Sequence, residues 1–232
     1  MNPHPTATPD LAGRRMWQPA ALPRMGGIAT LLLVFLIAAV LISDDGIVAG
    51  DAALHSWALG HRPPTAQSIA RAVTDTGTFL WPYLIAFLAG ALTGATWRTR
   101  LIRGVAGLAI LLTGQGIRLA VMVLIARPRP PRSDWGTHAS GFSLPSGHTT
   151  TSAITAGLVC WALTRSVHRT CVRCLRILAV IWAVCVALTR IYLGVHWLSD
   201  IVAGWLLATA YLAFLVAALA PLERKTVPPA RS

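Results

Sequence analysis

The stretch TRIYLGVHWLSDIVAGWLLATAYLAFLVAALA, residues 189–220, joins a polar segment directly to a long apolar one. Its first part carries Arg190, His196 and Asp200, and its last twenty residues carry no charge. Residues 198–220 meet the length of about 17 to 25 predominantly apolar residues that a membrane-spanning helix needs. The stretch therefore predicts a transmembrane helix with reactive side chains at one membrane surface.

The composition of the whole chain is typical of a membrane protein. Of its 232 residues, 55% are hydrophobic and 12% are charged, which is about half the charged fraction of an ordinary soluble domain. Several apolar runs have the length of a span, and the one at 148–164 is marginal because it opens with His148 and threonines. The chain is predicted to be an all-α polytopic membrane protein with six transmembrane helices, at 26–43, 77–97, 104–126, 148–164, 175–193 and 198–220.

The positive charge indicates topology rather than nucleic-acid binding. The net charge is +12, but four clusters of basic residues next to the predicted spans all fall on one side of a six-span chain. They are Arg14, Arg15 and Arg24; Arg98, Arg100 and Arg103; Arg165, Arg169, Arg173 and Arg176; and Arg224, Lys225 and Arg231. The positive-inside rule places this side and both termini in the cytoplasm. No RNA- or DNA-binding motif accompanies the clusters, so we expect no nucleic-acid partner.

The segments outside the spans are short. Residues 1–25 and 221–232, rich in proline and arginine, are predicted to be cytoplasmic tails on either side of a membrane domain at 26–220. Apolar residues at helical spacing in 44–76 predict one or two short helices on the outer membrane surface. Cys171 and Cys174 form a single CxxC motif in a predicted cytoplasmic loop, which is weak evidence for a metal.

Three polar stretches all fall on the outer side of the membrane in this orientation. They are ARPRPPRSDW after the third span, LPSGHTT at the start of the fourth, and TRIYLGVHWLSD between the fifth and sixth. Guanidinium groups bind phosphate bidentately, and a helix N-terminus offers backbone N–H groups to the same anion. The stretches therefore predict a phosphate site, with candidate residues Arg127, Arg129, Arg132, Ser146, Gly147, His148, Arg190, His196 and Asp200.

His196 and Asp200 lie four residues apart at the opening of the last span, so they share one face of a helix. The carboxylate can keep one imidazole nitrogen protonated and leave the other free as a nucleophile or base. A carboxylate inside a span is costly and should have a partner or a function. An isolated pair of this kind is also compatible with an interfacial histidine bonded to a helix cap. The two other polar stretches on the same membrane face favour catalysis.

The motifs RPRP, PSGH and TRIYLGVHWLSD resemble, in this order, the three signature motifs of the type 2 phosphatidic acid phosphatase (PAP2) superfamily. That superfamily shares its helical core with vanadium-dependent haloperoxidases. The resemblance implies that Arg129 and Arg190 bind the phosphoryl oxygens together with Ser146 and the Gly147 amide. It further implies the roles of the remaining groups: nucleophile for His196, orientation of that histidine for Asp200, and leaving-group acid for His148. No metal or other cofactor is implied.

The chain departs from the family pattern at two positions. Thr189 replaces the usual serine and keeps a hydroxyl group. Met122 stands where the family has a lysine that binds phosphate, which leaves the site one cation short. Arg118 lies one helical turn before Met122 on the same face, and its long side chain can reach toward the site. The alternative is that Arg118 pairs with a polar group between helices.

The resemblance implies a multi-pass phosphatase of the cell membrane with its active site on the extracytoplasmic side. Its expected partner is a lipid phosphate in the membrane, such as a polyprenyl diphosphate, phosphatidic acid or a phosphatidylglycerol phosphate, and nothing in the sequence selects one of them. No obligatory protein partner is evident. The alternative function is a catalytically weak or silent PAP2-like protein that binds or transports lipid phosphate, and Met122 is its support.

Overall fold

The computed structural model describes residues 21–164 and 169–225. Within these ranges the chain forms eight α-helices and two short 3-10 helices, without a strand. The α-helices are α1 (Ala21–Ile42), α2 (Asp51–Gly60), α3 (Pro64–Thr76), α4 (Leu80–Ala91), α5 (Trp97–Ile125), α6 (Gly147–Leu163), α7 (Arg169–Tyr192) and α8 (Leu198–Lys225). The predicted all-α fold class is confirmed.

Four described helices are long and apolar enough to cross a membrane. They are α1, α5, α7 from Cys171 to Tyr192, and α8 from Leu198 to Ala220. The other two predicted spans correspond to α4 and α6, which have 12 and 17 residues and fall below that length. Helix length and hydropathy therefore establish four candidate spans, whereas six were predicted.

The second predicted span, 77–97, contains the short helix α4 and the turns on either side of it. Helix α3 ends at Thr76 and α4 begins at Leu80, with Phe79 between them at a φ of 54°. Trp182 of α7 donates from its indole Nε1 to Thr76 Oγ1 at 2.9 Å. Since Trp182 lies roughly 15 Å before the end of α7 at the rise of an α-helix, α3 descends along α7 instead of lying flat across the bundle. Helices α3 and α4 are a broken pair whose boundary agrees with the one predicted at residue 76, whereas α3 differs from the helix on the membrane surface that was predicted within 44–76.

Helices α4 and α5 form a tight antiparallel hairpin. A Cβ atom on Gly90 would lie 2.0 Å from the carbonyl oxygen of Arg103, and one on Gly107 would lie 2.4 Å from that of Ala86. Both distances are far below van der Waals contact, so only glycine permits this approach of the two backbones. Leu111 of α5 then packs with buried residues of α4, α6 and α8 in the central apolar cluster.

The ends of the helical domain differ from the predicted boundaries. Helix α1 begins at Ala21 and α8 ends at Lys225, so both extend into segments predicted to be tails, while residues 1–20 and 226–232 lie outside the described residues. Cys171 and Cys174 belong to α7 instead of a loop and are free and exposed. The helical backbone of α1 and α8 extends beyond the apolar runs because polar residues can also adopt the helical conformation.

Candidate active site

The predicted site residues meet at one end of the bundle, because four helices begin or end there. Arg127 and Arg129 follow α5, Ser146 precedes α6, and Arg190 lies in the last turn of α7. His196 lies in the turn between α7 and α8, and Asp200 in the first turn of α8. The loops at this end of the bundle therefore bring together predicted site residues that are distant in the sequence. Arg127 and Asp200, for example, are 73 positions apart and in direct contact.

His196 and Asp200 form the predicted pair. His196 Nδ1 lies 3.1 Å from Asp200 Oδ2, and both side chains are buried. The turn that presents His196 contains Gly194 at a φ of +70°, where an added Cβ would lie 2.5 Å from the carbonyl oxygen of Asp134. Burial lowers the pKa of His196 to about 3 even though Asp200 opposes this shift. The imidazole is therefore neutral at pH 7, with Nδ1 bonded to Asp200 and a lone pair on Nε2.

Asp200 is held by more groups than the sequence indicated. Its Oδ2 accepts hydrogen bonds from the Trp197 amide at 2.8 Å and from the Ser143 hydroxyl. Its Oδ1 lies 2.5 Å from the guanidinium NH1 of Arg127. A carboxylate with this many donors has one fixed orientation, and it fixes the His196 ring in turn.

Arg129 lies directly on the Nε2 atom of His196. Its NH1 group is 2.9 Å from His196 Nε2 and also donates to the Val195 carbonyl at 2.8 Å. Its Nε and NH2 groups donate to the carbonyls of Gly141 and Ser140. Burial lowers the pKa of Arg129 to about 10, and the nearby charge of Arg118 contributes to the shift. The guanidinium remains cationic and contacts the atom where a phosphoryl group would bind.

The segment from Ser146 to Thr149 forms the start of α6, as the phosphate hypothesis requires. Ser146 is the N-cap residue, yet its side chain makes no capping bond, and its backbone N–H donates to the Asp200 carbonyl at 3.1 Å. Its hydroxyl oxygen is buried and has no hydrogen-bond partner within residues 21–164 and 169–225. The first-turn N–H groups and this hydroxyl together resemble a site prepared for an anion.

Arg190 is 2% exposed and only partly satisfied by the protein. Its NH1 group donates to Thr74 Oγ1 of α3 at 3.1 Å. Its Nε has no partner in the part of the chain that the structure describes. A buried guanidinium with an unused donor carries a large desolvation cost, which an anionic ligand would offset.

His148 lies in the first turn of α6, among the other charged groups of the site. It interacts electrostatically with Arg190, His196 and Arg129. This places its ring on the same side of the bundle as the His196 Nε2 atom.

Arg118 points toward the PSGH segment, not toward lipid. Its Nε donates to the Pro145 carbonyl at 2.9 Å, and its Cζ would lie 3.2 Å from a Cβ atom on Gly147. Met122 is buried and contacts Gly141 from below, so it supports the loop that binds Arg129. The absence of a Cβ on Gly147 is what allows the Arg118 guanidinium to approach the backbone of the predicted phosphate site.

Three supporting residues were not predicted to act in the site, namely Asp51, Ser143 and Thr74. Arg127 was predicted as a candidate phosphate-binding arginine, but its guanidinium pairs with Asp51 and Asp200 instead. The RPRP motif did indicate Arg127 as a candidate, because the sequence alone does not distinguish its two arginines. Asp51 and Thr74 come from α2 and α3, and no local pattern relates these helices to the motifs. Arg132, the third arginine of its stretch, is exposed and stacks on Trp135 outside this constellation.

Comparison with known proteins agrees with the geometry. The PAP2 superfamily pattern matches residues 29–223. Phosphatidylglycerophosphatase B of Bacillus subtilis is 32% identical over 198 residues, which cover 81% of this chain and 91% of that protein. An undecaprenyl-diphosphatase of Sulfolobus acidocaldarius is 34% identical over 85 residues, covering 36% and 37% of the two chains.

The fold has a solved counterpart as well. A crystal structure of a transmembrane PAP2-type phosphatidylglycerolphosphate phosphatase from Bacillus subtilis aligns with a TM-score of 0.72 and 26% identity, over 89% of this chain and 99% of that one. The sequence pattern covers well over half of the chain, and the structural match extends across nearly all of it. This chain therefore belongs to the PAP2 superfamily.

Proposed function

We propose that the chain is an integral-membrane phosphatase that hydrolyses a lipid phosphate or diphosphate at the outer membrane face through a phosphohistidine intermediate. The observation that carries the proposal is the pair of unused buried donors, Ser146 Oγ and Arg190 Nε, in a site whose nucleophile candidate is neutral. Donors of this kind are aimed at charge that a ligand brings.

In the proposed first step, His196 Nε2 attacks phosphorus while Asp200 holds the Nδ1 proton. The P–O bond to the lipid breaks, and His148, which takes up a proton as the anionic substrate enters the site, gives this proton to the departing oxygen. Arg129 donates to His196 Nε2 in the free protein, so this N–H must turn to a phosphoryl oxygen as the substrate binds. In the second step, water attacks the phosphohistidine with His148 as the base, and phosphate leaves.

The membrane placement is part of the proposal. Helix α6, at about 26 Å for its 17 residues, and the broken pair of α3 and α4 would complete six crossings. The described arginines of the α4–α5 turn and the start of α7 lie at the end opposite the site. The positive-inside rule then puts the site, helix α2 and the start of α3 outside.

The choice of substrate is supported by the names of the relatives. One compared protein is a phosphatidylglycerophosphatase and the other an undecaprenyl-diphosphatase. The greater coverage of the first relative favours a phosphatidylglycerol phosphate, and the second keeps a polyprenyl diphosphate as a candidate. A lipid-phosphate binding protein without turnover stays the alternative, because Met122 replaces the family lysine.

Purified protein is expected to release phosphate from a panel of these lipids in the presence of EDTA. The physical reason is that arginines and backbone amides supply the charge stabilisation that a divalent ion supplies elsewhere. Among the described residues, no group of three or more His, Cys, Asp or Glu side chains is placed to bind a metal ion. Vanadate, which adopts the trigonal bipyramidal shape of the transition state, should inhibit.

The outcomes of this assay separate the two functions. Binding of lipid phosphate without release of phosphate would favour the silent alternative. Loss of turnover in EDTA with recovery in magnesium would contradict the metal-independent mechanism.

Arg118→Ala is expected to lower kcat/KM by about tenfold to a thousandfold, the effect of losing one charged contact to the transition state. Arg118 would supply the cation that Met122 does not. Adding Met122→Lys to the Arg118→Ala variant should restore part of the loss, because both side chains would serve the same phosphate. Steady-state kinetics on the lipid panel measures both effects.

The matched control for Arg118 is Arg103→Ala, which removes an arginine from the opposite end of α5. Arg103 donates to the Thr93 carbonyl and should have little effect on kcat/KM. If Arg118→Ala folds and turns over like the parent, Arg118 only holds the Pro145 carbonyl. The site would then work with one cation fewer than its relatives.

A further inference from the structure

Three charged side chains form a continuous buried chain behind His196. The guanidinium of Arg127 lies between two carboxylates, with NH2 2.7 Å from Asp51 Oδ2 and NH1 2.5 Å from Asp200 Oδ1. Asp51 is 1% exposed, Arg127 2% and Asp200 0%. Helix α2, which carries Asp51, is thereby connected to the nucleophile through Arg127.

Asp51 is bound only by donors. Its Oδ1 accepts from the Ser199 amide at 2.9 Å, and its Oδ2 accepts from the Val48 amide at 3.2 Å. The Ser199 hydroxyl donates to the same carboxylate. Asp51 is therefore a satisfied carboxylate and not an acid that shares a proton with its neighbours.

The chain of charges is not balanced. One arginine would suffice to neutralise Asp200, yet Asp51 adds a second buried carboxylate. With Asp51 at −1, Arg127 at +1 and Asp200 at −1, the group carries a net charge of −1 when His196 is neutral. Arg129 and Arg118 interact with Asp200 and offset this charge in the free protein. When a bound phosphoryl group draws the Arg129 N–H away from His196, the buried group favours a positive charge on the imidazole.

The proposed reaction creates that positive charge on His196. When Nε2 forms its bond to phosphorus, the P–O bond to the lipid breaks and the lipid oxygen takes a proton from His148. The ring keeps its Nδ1 proton, and one positive charge develops on it. Asp200 Oδ2, 3.1 Å from Nδ1, is the nearest atom of the negatively charged group.

We propose that Asp51 and Arg127 are positioning residues, in which Asp51 supplies the excess negative charge that favours the cationic His196 of the phosphoenzyme. Arg127 orients Asp200. Asp51 neutralises the positive charge of Arg127, so that Asp200 keeps its full negative charge toward His196. This inference rests on the proposed phosphohistidine mechanism. It assigns a function in the chemistry to a residue of α2, outside the three signature motifs.

The experiment compares charge with shape at position 51. Asp51→Asn keeps the size and the oxygen acceptor but leaves Arg127 and Asp200 with no net charge. We expect kcat and the rate of phosphoenzyme formation to fall by about tenfold to a hundredfold, with KM within about twofold of the parent, because the lost interaction exists only in the transition state. Asp134→Asn is the matched control on the same face, since it also removes one negative charge, and it should leave kcat nearly unchanged.

A double variant gives the sharper test. Asp51→Asn combined with Arg127→Met leaves Asp200 alone and so restores the net charge of −1. The charge hypothesis predicts a higher kcat for the double variant than for Asp51→Asn alone. A purely structural role of the two residues predicts a further loss, because a second set of contacts disappears.

Each outcome decides one statement. A parent-like kcat for Asp51→Asn, or equal losses in Asp51→Asn and Asp134→Asn, would overturn the proposal. If Asp51→Asn does not fold, the double variant is compared with the parent instead, because it leaves no unpaired buried cation. A loss in kcat of more than about a hundredfold in the double variant would then overturn the proposal. Turnover by the parent reports on the proposed function separately, and a parent that forms no phosphoenzyme overturns both.

Discussion

His196→Ala is expected to abolish phosphate release, with a loss in kcat of at least about ten-thousandfold, because in the proposed mechanism it removes the atom that forms the bond to phosphorus. The covalent phosphoenzyme should disappear as well. Labelling with a ³²P-lipid followed by quenching in base, in which phosphohistidine survives, measures the intermediate directly. Among the described residues of the site, His196 is the only histidine that has a ring nitrogen within hydrogen-bond distance of a carboxylate oxygen.

Two further variants make the His196 result specific. His138→Ala removes an exposed histidine from the loop before PSGH and should keep turnover close to that of the parent. His196→Gly leaves room for added imidazole, which should restore part of the activity if the ring itself is the nucleophile. A phosphoenzyme that persists in His196→Ala would place the nucleophile elsewhere.

Arg190→Ala is expected to lower kcat/KM by about a hundredfold to ten-thousandfold. It removes a buried cation whose Nε has no partner in residues 21–164 and 169–225, and preorganised donors of this kind supply much of transition-state stabilisation. Arg190→Lys should recover only a small part, because an ammonium group cannot present two parallel donors. Inhibition by vanadate should weaken in parallel, since vanadate occupies the place of the transferred phosphoryl group.

The contact between Arg190 and Thr74 offers a graded variant. Thr74→Val removes the hydroxyl that accepts from Arg190 NH1 and should cost roughly tenfold in kcat/KM, because the arginine keeps its charge but loses its orientation. Arg132→Ala, at an exposed arginine, is the control. Full activity in Arg190→Lys would show that charge alone suffices and would contradict the bidentate role.

The sequence predicted the parts of the site that local patterns encode. The spacing of His196 and Asp200 places them on one helical face, and PSGH lies where α6 begins. Hydrophobic runs located α1, α5, α7 and α8 closely. These features depend on residues within a few positions of one another, which is why the chain reveals them without a structure.

The parts that the sequence did not predict depend on distant contacts. Arg127 and Asp51 are 76 positions apart, and Arg190 and Thr74 are 116 apart. The break between α3 and α4 depends on packing as well, since a Cβ on Gly77 would lie 2.3 Å from Val186 of α7. Neither composition nor periodicity contains this information, so the descent of α3 along α7 was not predicted.

The descent of α3 beside α7 has a consequence for how relatives of this chain should be judged. Thr74 reaches Arg190 only because α3 enters the bundle, and the residues that bring it there lie outside every signature motif. The three motifs are therefore not sufficient by themselves. Transferred to another helical scaffold, they would supply the reacting groups without the contact from Thr74 that orients Arg190. A homologue that retains all three motifs but has a shortened or rebuilt segment before its second crossing is expected to have a lower kcat/KM, however well its motifs align.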